Sequence, residues 1–433
     1  MNILPLGLLD EPRALEAARE NFQRKLAAAR ALPWFRSWCP ALERVETLED
    51  ISRLPLTTLD GLEPGTVSLS AIFDELLTLR RGGLVLSSGG STGLRKLAVH
   101  SWAFNRVVVE LGARGVLATG VPPPVRMLNC LTAGELQGAF LFAQGIAEAL
   151  GAYVYPMGWR AAGERLLEMI REHGIDTLVS TPSFAVALLG TDGASSETCP
   201  SLKRVLYVGE RFTAERQALV RSRFPELLIQ SLGYSSAETG PIGYQCGHLQ
   251  GADHHVHQDA MLVEILAEGS NEPVPPGIPG EVVLTPLAQT DVPLFRYKIG
   301  DRGMLLRQSC PCGGTAPILR LLGRTETSTK IGGAIVTKGQ VLDFLRRVAE
   351  GLDETDVQVV VQLVQGLSHI KLLVNEAKLH PEVQRAFEQV WRSDEHASLL
   401  LQLPGVASVT LERVSPAAFK TSGSGKAPFF LQA

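Results

Sequence analysis

Residues 86–96 have the sequence Leu-Ser-Ser-Gly-Gly-Ser-Thr-Gly-Leu-Arg-Lys and complete an apolar run that begins at Leu84. Glycine lets a backbone approach a ligand closely, and successive N–H groups, hydroxyls and a lysine can together hold a polyphosphate. The segment lacks the Gly-Lys-Ser/Thr end of a Walker loop and the GxGxxG of a dinucleotide-binding fold. It is therefore a candidate phosphate-binding loop, with a flexible surface loop as the alternative interpretation.

From residue 84 onward, apolar runs typical of strands alternate with helical stretches, which predicts α/β layers with mostly parallel strands. Residues 11–50 are predicted to be helical, because Ala and Leu recur there at helical spacing. After about residue 260, short runs separated by proline turns indicate an antiparallel or barrel-like subdomain. The predicted strands up to residue 306 are 84–86, 126–131, 177–179, 205–208, 261–266, 280–285 and 302–306.

The last part of the chain predicts a second, small domain. Strands at 357–363, 370–374 and 408–412, with a helix at 381–400, are typical of an α+β unit. We therefore predict an α/β protein with a large N-terminal domain, residues 1–322, and a small C-terminal domain, residues 323–433. The large domain is expected to consist of layered sheets and helices together with the barrel-like subdomain.

Composition excludes several classes of protein. The 433 residues include 41 Lys or Arg and 45 Asp or Glu, so the formal charge is −4, and duplex binding usually needs a basic face, so nucleic acid is not expected as a partner. The longest apolar run, residues 139–155, contains two glycines and a glutamate, whereas a membrane span needs about 20 nearly uncharged residues. The first 12 residues do not have the pattern of a secretory signal, and six cysteines are too few for a disulfide scaffold. We therefore expect a cytoplasmic protein.

Cysteines and histidines that could bind a metal are concentrated in two short stretches of the chain, residues 246–257 and 310–312. Thiolates with imidazole select Zn²⁺, and closed four-coordinate sites are structural. The spacing between these two stretches differs from that of a standard zinc finger. The alternative interpretation is that the histidines are solvated and the cysteines are ordinary reduced thiols. The cluster comprises Cys246, His248, His254, His255, His257, Cys310 and Cys312.

Four further motifs follow the Ser/Gly loop in order: Gly233–Glu238, Arg296–Asp301, Gly323–Glu326 and Gly423–Lys426. The whole series, from about residue 85 to the C-terminus, resembles the adenylate-forming superfamily of acyl-CoA and aryl-CoA ligases, carrier-protein-loading adenylation domains and luciferases. A narrower resemblance is to the phenylacetate–CoA ligase branch. That resemblance is carried by Ser180–Ser183, Gly209-Glu210, Gly240-Pro241, Pro293–Tyr297 and Cys310-Pro311-Cys312-Gly313.

The resemblance implies an ATP-dependent carboxylic acid ligase. In this superfamily a carboxylate attacks the α-phosphate of ATP, pyrophosphate leaves, and the acyl- or aryl-adenylate then forms a thioester with coenzyme A. Phosphoryl transfer needs charge neutralisation and positioning more than covalent help. The residues implied to hold the β- and γ-phosphates are Ser87, Ser88, Gly89, Gly90, Ser91, Thr92, Gly93 and Lys96, and Gly209 and Glu210 are implied to contact the nucleotide.

Individual roles are implied at five further positions. Glu238 would carry Mg²⁺, a hard cation suited to carboxylate and phosphate oxygens, and Asp301 would accept both ribose hydroxyls. Arg324 would reach the ribose or a phosphate, and Tyr234 would stack on adenine or on an aromatic acid. Lys426 would pair with the acid and the α-phosphate when the small domain rotates over the site. The structural alternatives are a helix-cap carboxylate, a turn aspartate, an interdomain salt bridge, a core tyrosine and a solvated terminal lysine.

The branch resemblance also selects four of the metal ligands. In that branch a cysteine ahead of the histidine segment joins the later cysteine pair, and alignment on Asp259 and Glu264 places the histidine at His255. The implied structural zinc site therefore consists of Cys246, His255, Cys310 and Cys312, with His248 or His254 as alternatives to His255.

The sequence departs from the family pattern in the stretch that, in the family, lines the site in the thioester-forming pose. Family members usually have two Asp and then Ile-Arg-Gly, whereas Glu326-Thr327 and Ile331-Gly332-Gly333 occur here, and Thr421 replaces a Pro. These departures favour, as an alternative, a biosynthetic adenylating enzyme that passes the acyl group to a carrier protein or an amine. A non-catalytic descendant that binds a nucleotide is a third hypothesis. The expected partners are a small carboxylic acid and, in the alternative, an acyl carrier protein; the branch also suggests a homodimer.

Overall fold

The elements of the fold are described from a computed structural model. It describes residues 11–59, 61, 64–79, 82–88, 96–134, 136–209, 212–267, 269–324, 328–331, 334–349, 352, 356–364, 367–393, 406–415, 418–419 and 429–432. The helices are α1 (Glu11–Arg30), α2 (Pro33–Trp38), α3 (Leu69–Thr78), α4 (Trp102–Leu117), α5 (Gly138–Ala149), α6 (Gly163–His173), α7 (Pro182–Leu189), α8 (Ala214–Arg221), α9 (Lys338–Val348) and α10 (Pro381–Ser393). Among these described residues, no helix combines the length and the apolar character that a bilayer crossing requires.

The strands up to residue 324 are β1 (Thr57–Thr58), β2 (Val67–Ser68), β3 (Gly83–Ser88), β4 (Lys96–Ser101), β5 (Arg126–Asn129), β6 (Tyr153–Pro156), β7 (Thr177–Ser180), β8 (Arg204–Tyr207), β9 (Leu228–Ser231), β10 (Tyr234–Ser236), β11 (Gly240–Tyr244), β12 (Asp253–Val256), β13 (Met261–Leu266), β14 (Gly280–Pro286), β15 (Tyr297–Leu306) and β16 (Ile318–Arg324). The later strands are β17 (Ser328–Ile331), β18 (Ala334–Thr337), β19 (Val357–Val364), β20 (Leu367–Asn375), β21 (Val406–Val414) and β22 (Phe430–Gln432).

A parallel sheet occupies the middle of the chain, with strand order β6-β5-β7-β8-β9. Every residue of β7 and β8 is buried, as expected for a parallel sheet that helices cover on both faces. Helix α6 contributes Leu166 and Ile170 to the core on one side, because these apolar residues are four apart and share one helix face. The predicted parallel α/β layer is therefore confirmed for residues 126–231, and its strands all end at one edge.

A second sheet of nine strands has the order β10-β11-β12-β16-β15-β1-β2, with β14 also paired to β15 and β13 to β14. The antiparallel pairing expected after residue 260 is found in β13 to β16. Strand β15 begins at Tyr297 rather than at residue 302, so Asp301 lies inside a strand and the turn interpretation of this aspartate is wrong. The alternating burial of β15 places the charged Asp301 at a buried position, and this interrupts the apolar pattern by which a strand is recognised.

Helix α1 is anchored on the second sheet by a buried lysine as well as by apolar packing. Lys25 Nζ donates to the carbonyl oxygens of Gln289 at 2.6 Å and Val292 at 2.7 Å. It also lies 5.0 Å from the centroid of the Phe295 ring. Complete burial lowers the pKa of Lys25 to about 7. The loop that leads into β15 is thus tied to α1 through its main chain.

A buried ion pair ties α4 to the start of β13. Arg114 contacts both carboxylate oxygens of Asp259 at 2.8 Å, and both side chains are almost fully buried. Asn21 on α1 donates to the Asp259 carbonyl oxygen at 2.7 Å. These contacts join α1, α4 and the segment that leads into β13.

The C-terminal part forms a separate sheet in the order β21-β20-β19-β22, together with the hairpin β17–β18. Its apolar core draws on residues between 331 and 430, and Phe344, Phe387 and Trp391 pack edge to face or tilted within it. The strands predicted in this region are present. The helix predicted at 381–400 is described from Pro381 to Ser393, and residues 394–400 lie outside the described residues.

Candidate active site and metal centre

A tyrosine hydroxyl links two of the predicted motifs. Tyr234 donates a hydrogen bond of 2.5 Å to Oδ2 of Asp301, and both side chains are buried. Asp301 on β15 is paired in register with Arg324 on β16. The register shifts between Arg302 and Gly303, and such bulges re-aim side chains next to functional sites. Stacking of Tyr234 on adenine stays a prediction, whereas its contact with Asp301 was missed, because no sequence pattern pairs a tyrosine with a particular carboxylate.

Glu238 lies in the tight turn between β10 and β11. The Ser236 hydroxyl accepts the Thr239 N–H at 3.1 Å and lies 2.9 Å from the Thr239 hydroxyl, which stabilises the turn. Gly240 has a φ of +70°, and a Cβ there would lie 3.0 Å from the Val108 side chain, so the turn packs closely on α4. Glu238 itself is only 3% exposed and is followed by a strand rather than a helix. A helix-cap role is therefore wrong, and the carboxylate sits in a rigid turn.

His100 joins the hairpin of the phosphate loop to this turn. Strands β3 and β4 flank the Ser/Gly loop, and their register pairs Ser88 with Lys96. On the same strand as Lys96, His100 Nε2 lies 2.6 Å from the carbonyl oxygen of Ala237. A carbonyl oxygen only accepts, so Nε2 carries the proton, and burial lowers the pKa of His100, which favours the neutral ring. Sequence reasoning missed His100, because a single histidine near a strand end forms no motif.

The base of the phosphate loop is described, and the loop itself is not. Ser87 is buried, and its N–H donates to the Leu136 carbonyl oxygen at 2.9 Å. Gly209, two residues after the end of β8, has a φ of +90°, a conformation that suits glycine. The predicted ligands Gly89, Gly90, Ser91, Thr92, Gly93, Glu210 and Lys426 lie outside the described residues.

The carboxyl ends of the parallel strands form one edge of that sheet. Asn129, Ser180 and Tyr207 terminate β5, β7 and β8 there. Asn129 is fully buried, donates to the Phe140 carbonyl oxygen at 3.1 Å and accepts from the Leu131 N–H at 3.2 Å. Ligands of open α/β sheets bind outside this edge, so these residues mark a candidate ligand-binding edge of the sheet.

The four predicted zinc ligands converge although they come from three chain segments. The ligand atoms of Cys246, His255, Cys310 and Cys312 all lie within 4.8 Å of one another. The sulfurs of Cys246 and Cys310 are 3.6 Å apart, and Cys312 Sγ is 3.4 Å from His255 Nε2. A tetrahedral zinc with Zn–S of about 2.3 Å and Zn–N of about 2.05 Å has edges of about 3.8 Å and about 3.6 Å. These two separations are close to the edges of that tetrahedron, and the cysteines are free rather than disulfide-bonded.

The surroundings of the four residues also suit a metal. His255 Nδ1 lies 3.0 Å from the Ala316 carbonyl oxygen, which fixes the proton on Nδ1 and directs the Nε2 lone pair at the cluster. The N–H of His248 points to Cys246 Sγ at 3.4 Å, and the N–H of Gly314 points to Cys312 Sγ at 3.3 Å. Burial raises the pKa of Cys246 to about 12, and a bound cation reverses that effect by stabilising the thiolate.

The neighbouring histidines His254 and His257 lie in the core, outside the group of four metal ligands. The convergent group contains neither His248 nor His254, the two alternatives to His255. His254 lies with Nε2 3.2 Å from the Ser231 hydroxyl, and its ring centroid is 6.0 Å from that of Tyr234. Burial lowers the pKa of His254 to about 4 and that of His257 to about 3. Both are therefore neutral core histidines at physiological pH.

Comparisons with known proteins show what this chain is similar to. Residues 84–286 match the family model "AMP-binding enzyme". A phenylacetate-coenzyme A ligase of Thermus thermophilus is 29% identical over 346 residues, covering 78% of this chain and 74% of that protein. A phenylacetate-coenzyme A ligase of Escherichia coli is 23% identical over 348 residues, covering 77% and 76%. The crystal structure of 2-hydroxyisobutyryl-CoA ligase with 2-HIB-AMP and CoA in the thioesterification state has a TM-score of 0.76 at 18% identity, covering 100% of this chain and 94% of that chain, which shows a common fold.

Proposed function

We propose that the chain is an adenylate-forming enzyme that activates a small carboxylic acid for thioester formation, and its AMP-binding match and phenylacetate-coenzyme A ligase homologues support this. A carboxylate oxygen of the acid attacks the α-phosphorus of ATP, the bond to the bridging oxygen breaks, and pyrophosphate leaves. The sulfur of coenzyme A then attacks the acyl carbon, the bond to the AMP oxygen breaks, and the thiol proton passes to solvent.

The observation that carries the proposal is the joining of distant motifs by direct contacts. Tyr234 and Asp301 share a hydrogen bond of 2.5 Å, Asp301 is the register partner of Arg324, and His100 binds the residue before Glu238 at 2.6 Å. Strand β4, which carries His100, begins at the end of the phosphate loop. These contacts support a single nucleotide site rather than four unrelated segments.

Each residue has a role that its chemistry suits. Glu238 would bind Mg²⁺, which takes one or two carboxylates together with phosphate oxygens. Asp301 would accept hydrogen bonds from the ribose hydroxyls, and the Tyr234 hydroxyl orients that carboxylate. Lys96 and Lys426 would neutralise charge on the phosphates and the acid during adenylation. Lys426 would arrive with residues 323–433, which we propose to act as a mobile lid.

Coenzyme A is the proposed acceptor because the curated relatives that match are named as coenzyme A ligases. The altered stretch Ile331-Gly332-Gly333 keeps a carrier protein or an amine as the second candidate. Incubation of enzyme, ATP and the activating acid with coenzyme A, followed by mass spectrometry, distinguishes them. A thioester product supports the first acceptor, and acid-dependent adenylate without thioester supports the second.

Adenylation is tested by ATP–pyrophosphate exchange against a panel of carboxylic acids. We expect acid-dependent exchange that Glu238→Gln and Lys426→Ala reduce by at least 10²-fold, because each removes charge stabilisation from the transition state. Glu272→Gln, which changes an exposed carboxylate, is the matched control and should keep full activity. If no acid in the panel supports exchange, the proposed function is overturned. If the Lys426→Ala protein keeps full activity, the role assigned to Lys426 is overturned.

We also propose a structural Zn²⁺ at Cys246, His255, Cys310 and Cys312. We further propose that the protein is cytoplasmic and forms a homodimer. Inductively coupled plasma mass spectrometry should find one zinc per chain in the purified parent protein. The Cys310→Ser protein should contain less than a tenth of that amount. Cys199→Ser, at a buried cysteine outside the cluster, is the control and should retain the metal. Equal zinc in both variants would refute the site, and light scattering would test the homodimer.

A further inference from the structure

His100 lies where two halves of the proposed magnesium–ATP site meet. It is 3% exposed and sits on strand β4, four residues after Lys96, a distance of about 13 Å along an extended strand. Its Nε2 donates to the Ala237 carbonyl oxygen at 2.6 Å. One strand thus carries both the end of the phosphate loop and a direct contact to the Glu238 turn.

The contact acts on the peptide plane from which Glu238 leaves. The carbonyl of Ala237 and the amide nitrogen of Glu238 belong to one planar unit, so the hydrogen bond from His100 fixes the orientation of that plane. The turn is already closed by Ser236 and Thr239. What the turn itself cannot set is its distance from strand β4, and His100 supplies that link.

The ring of His100 is itself held in place. Its centroid lies 4.9 Å from that of Phe104, with the rings at 74°, and Phe104 also lies against the Cβ position of Gly240 at the end of the turn. The other ring nitrogen, Nδ1, is buried and has no hydrogen-bond partner among the described residues. A histidine kept there despite an unsatisfied nitrogen points to a use for its Nε2 donor.

We propose that His100 is a positioning residue that fixes the Glu238 turn relative to strand β4 and so sets where the Glu238 carboxylate would meet the Mg²⁺ of magnesium–ATP. The inference rests on the proposed function, because it assumes that Glu238 binds the metal of magnesium–ATP. His100 contacts neither ATP nor the acid in this role. It acts through the main chain of Ala237 and should therefore affect the metal dependence of the reaction more than the reaction at saturating metal.

The test is the Mg²⁺ dependence of ATP–pyrophosphate exchange in His100→Phe and His100→Gln. Phe keeps the ring and removes the donor, so we expect the Mg²⁺ concentration at half-maximal rate to rise about tenfold, the factor for one lost buried hydrogen bond, with KM for the acid unchanged. Gln places an N–H near the position of Nε2 and should stay within about twofold of the parent protein. Leu111→Ala is the matched control: it removes buried apolar volume from α4, leaves the His100 donor in place, and should lower Tm without changing the Mg²⁺ dependence.

A purely structural role predicts a different result. The Phe variant would then lose Tm or active fraction while its Mg²⁺ dependence stayed that of the parent protein, and this outcome would overturn the inference. If the Phe variant does not fold, His100→Asn replaces it, because the Asn amide is too short to reach Ala237. The inference then requires a shift for Asn and none for Gln. A parent protein without acid-dependent exchange refutes the proposed function instead, so the two failures are distinguishable.

Discussion

Lys25 makes the stability of the protein depend on pH in a direction that can be worked out. It is fully buried, its ammonium group contacts two main-chain carbonyl oxygens, and burial lowers its pKa from 10.5 to about 7. In the unfolded chain the lysine keeps its proton up to a pH near 10.5. Between pH 7 and pH 10.5 the unfolded state therefore binds more protons than the folded state, and the free energy of unfolding rises with pH.

The size of the effect follows from the same two values. Each pH unit contributes up to about 1.4 kcal/mol, and about half of that at the folded pKa itself. Integration from pH 7 to pH 9 gives a gain of about 2 kcal/mol. Lys25→Met removes the titrating group and keeps most of the side-chain volume, so this variant should lack that part of the gain. Lys203→Met, at an exposed lysine, should behave as the parent protein does.

Urea denaturation at pH 7 and pH 9 measures the difference. Tryptophan fluorescence includes a probe near Lys25, because Trp34 packs on Phe35, which stacks on the same Phe295 ring that Lys25 faces. The loss of donors to Gln289 and Val292 lowers stability at both pH values and cancels from the comparison. If Lys25→Met and the parent protein gain the same stability from pH 7 to pH 9, Lys25 does not carry the linkage and its burial does not depress its pKa.

Three further substitutions test other parts of the structure. Arg114→Met should lower the free energy of unfolding by about 3–5 kcal/mol, because it takes the guanidinium away from a buried carboxylate; a loss under about 1 kcal/mol in urea denaturation would contradict this. Tyr234→Phe removes a donor to the Asp301 carboxylate, a bond of a kind that contributes about 1.5–3 kcal/mol, so KM for ATP in the exchange assay should rise at least about tenfold, and an unchanged KM would separate the tyrosine from nucleotide binding. Gly280→Ala places a Cβ 2.2 Å from a carbonyl oxygen of β13 and should lower the free energy of unfolding by about 1–3 kcal/mol. Gly163→Ala, whose Cβ has no atom closer than 3.7 Å, should lower it much less. Equal urea midpoints for the two variants would show that the sheet accommodates the methyl group without strain.

Elements with a regular pattern were predictable, and elements with polar buried positions were not. The all-buried strands β7 and β8 and the largely buried strands β19 and β20 of the C-terminal sheet lie where apolar runs predicted them. Strand β15 was predicted too short because Asp301 occupies one of its buried positions. Strands β10 to β12 carry Ser, Gly and His, and their strand conformation depends on pairing with neighbours that are distant in sequence.

The sequence by itself determined the chemistry that is available: a Ser/Gly loop after a strand, carboxylates and an arginine in a fixed order, and cysteines and a histidine dense enough to bind a metal. Residue types and their order along a chain are enough for that, since they set which charges and ligand atoms can be offered. Only the tertiary structure decided which of them meet. The convergence of His255 with the three cysteines, the contact of Tyr234 with Asp301 and the link from His100 to the Glu238 turn depend on strand register. A shift of one residue turns a side chain to the other face of a sheet, and register is set by packing across the whole fold.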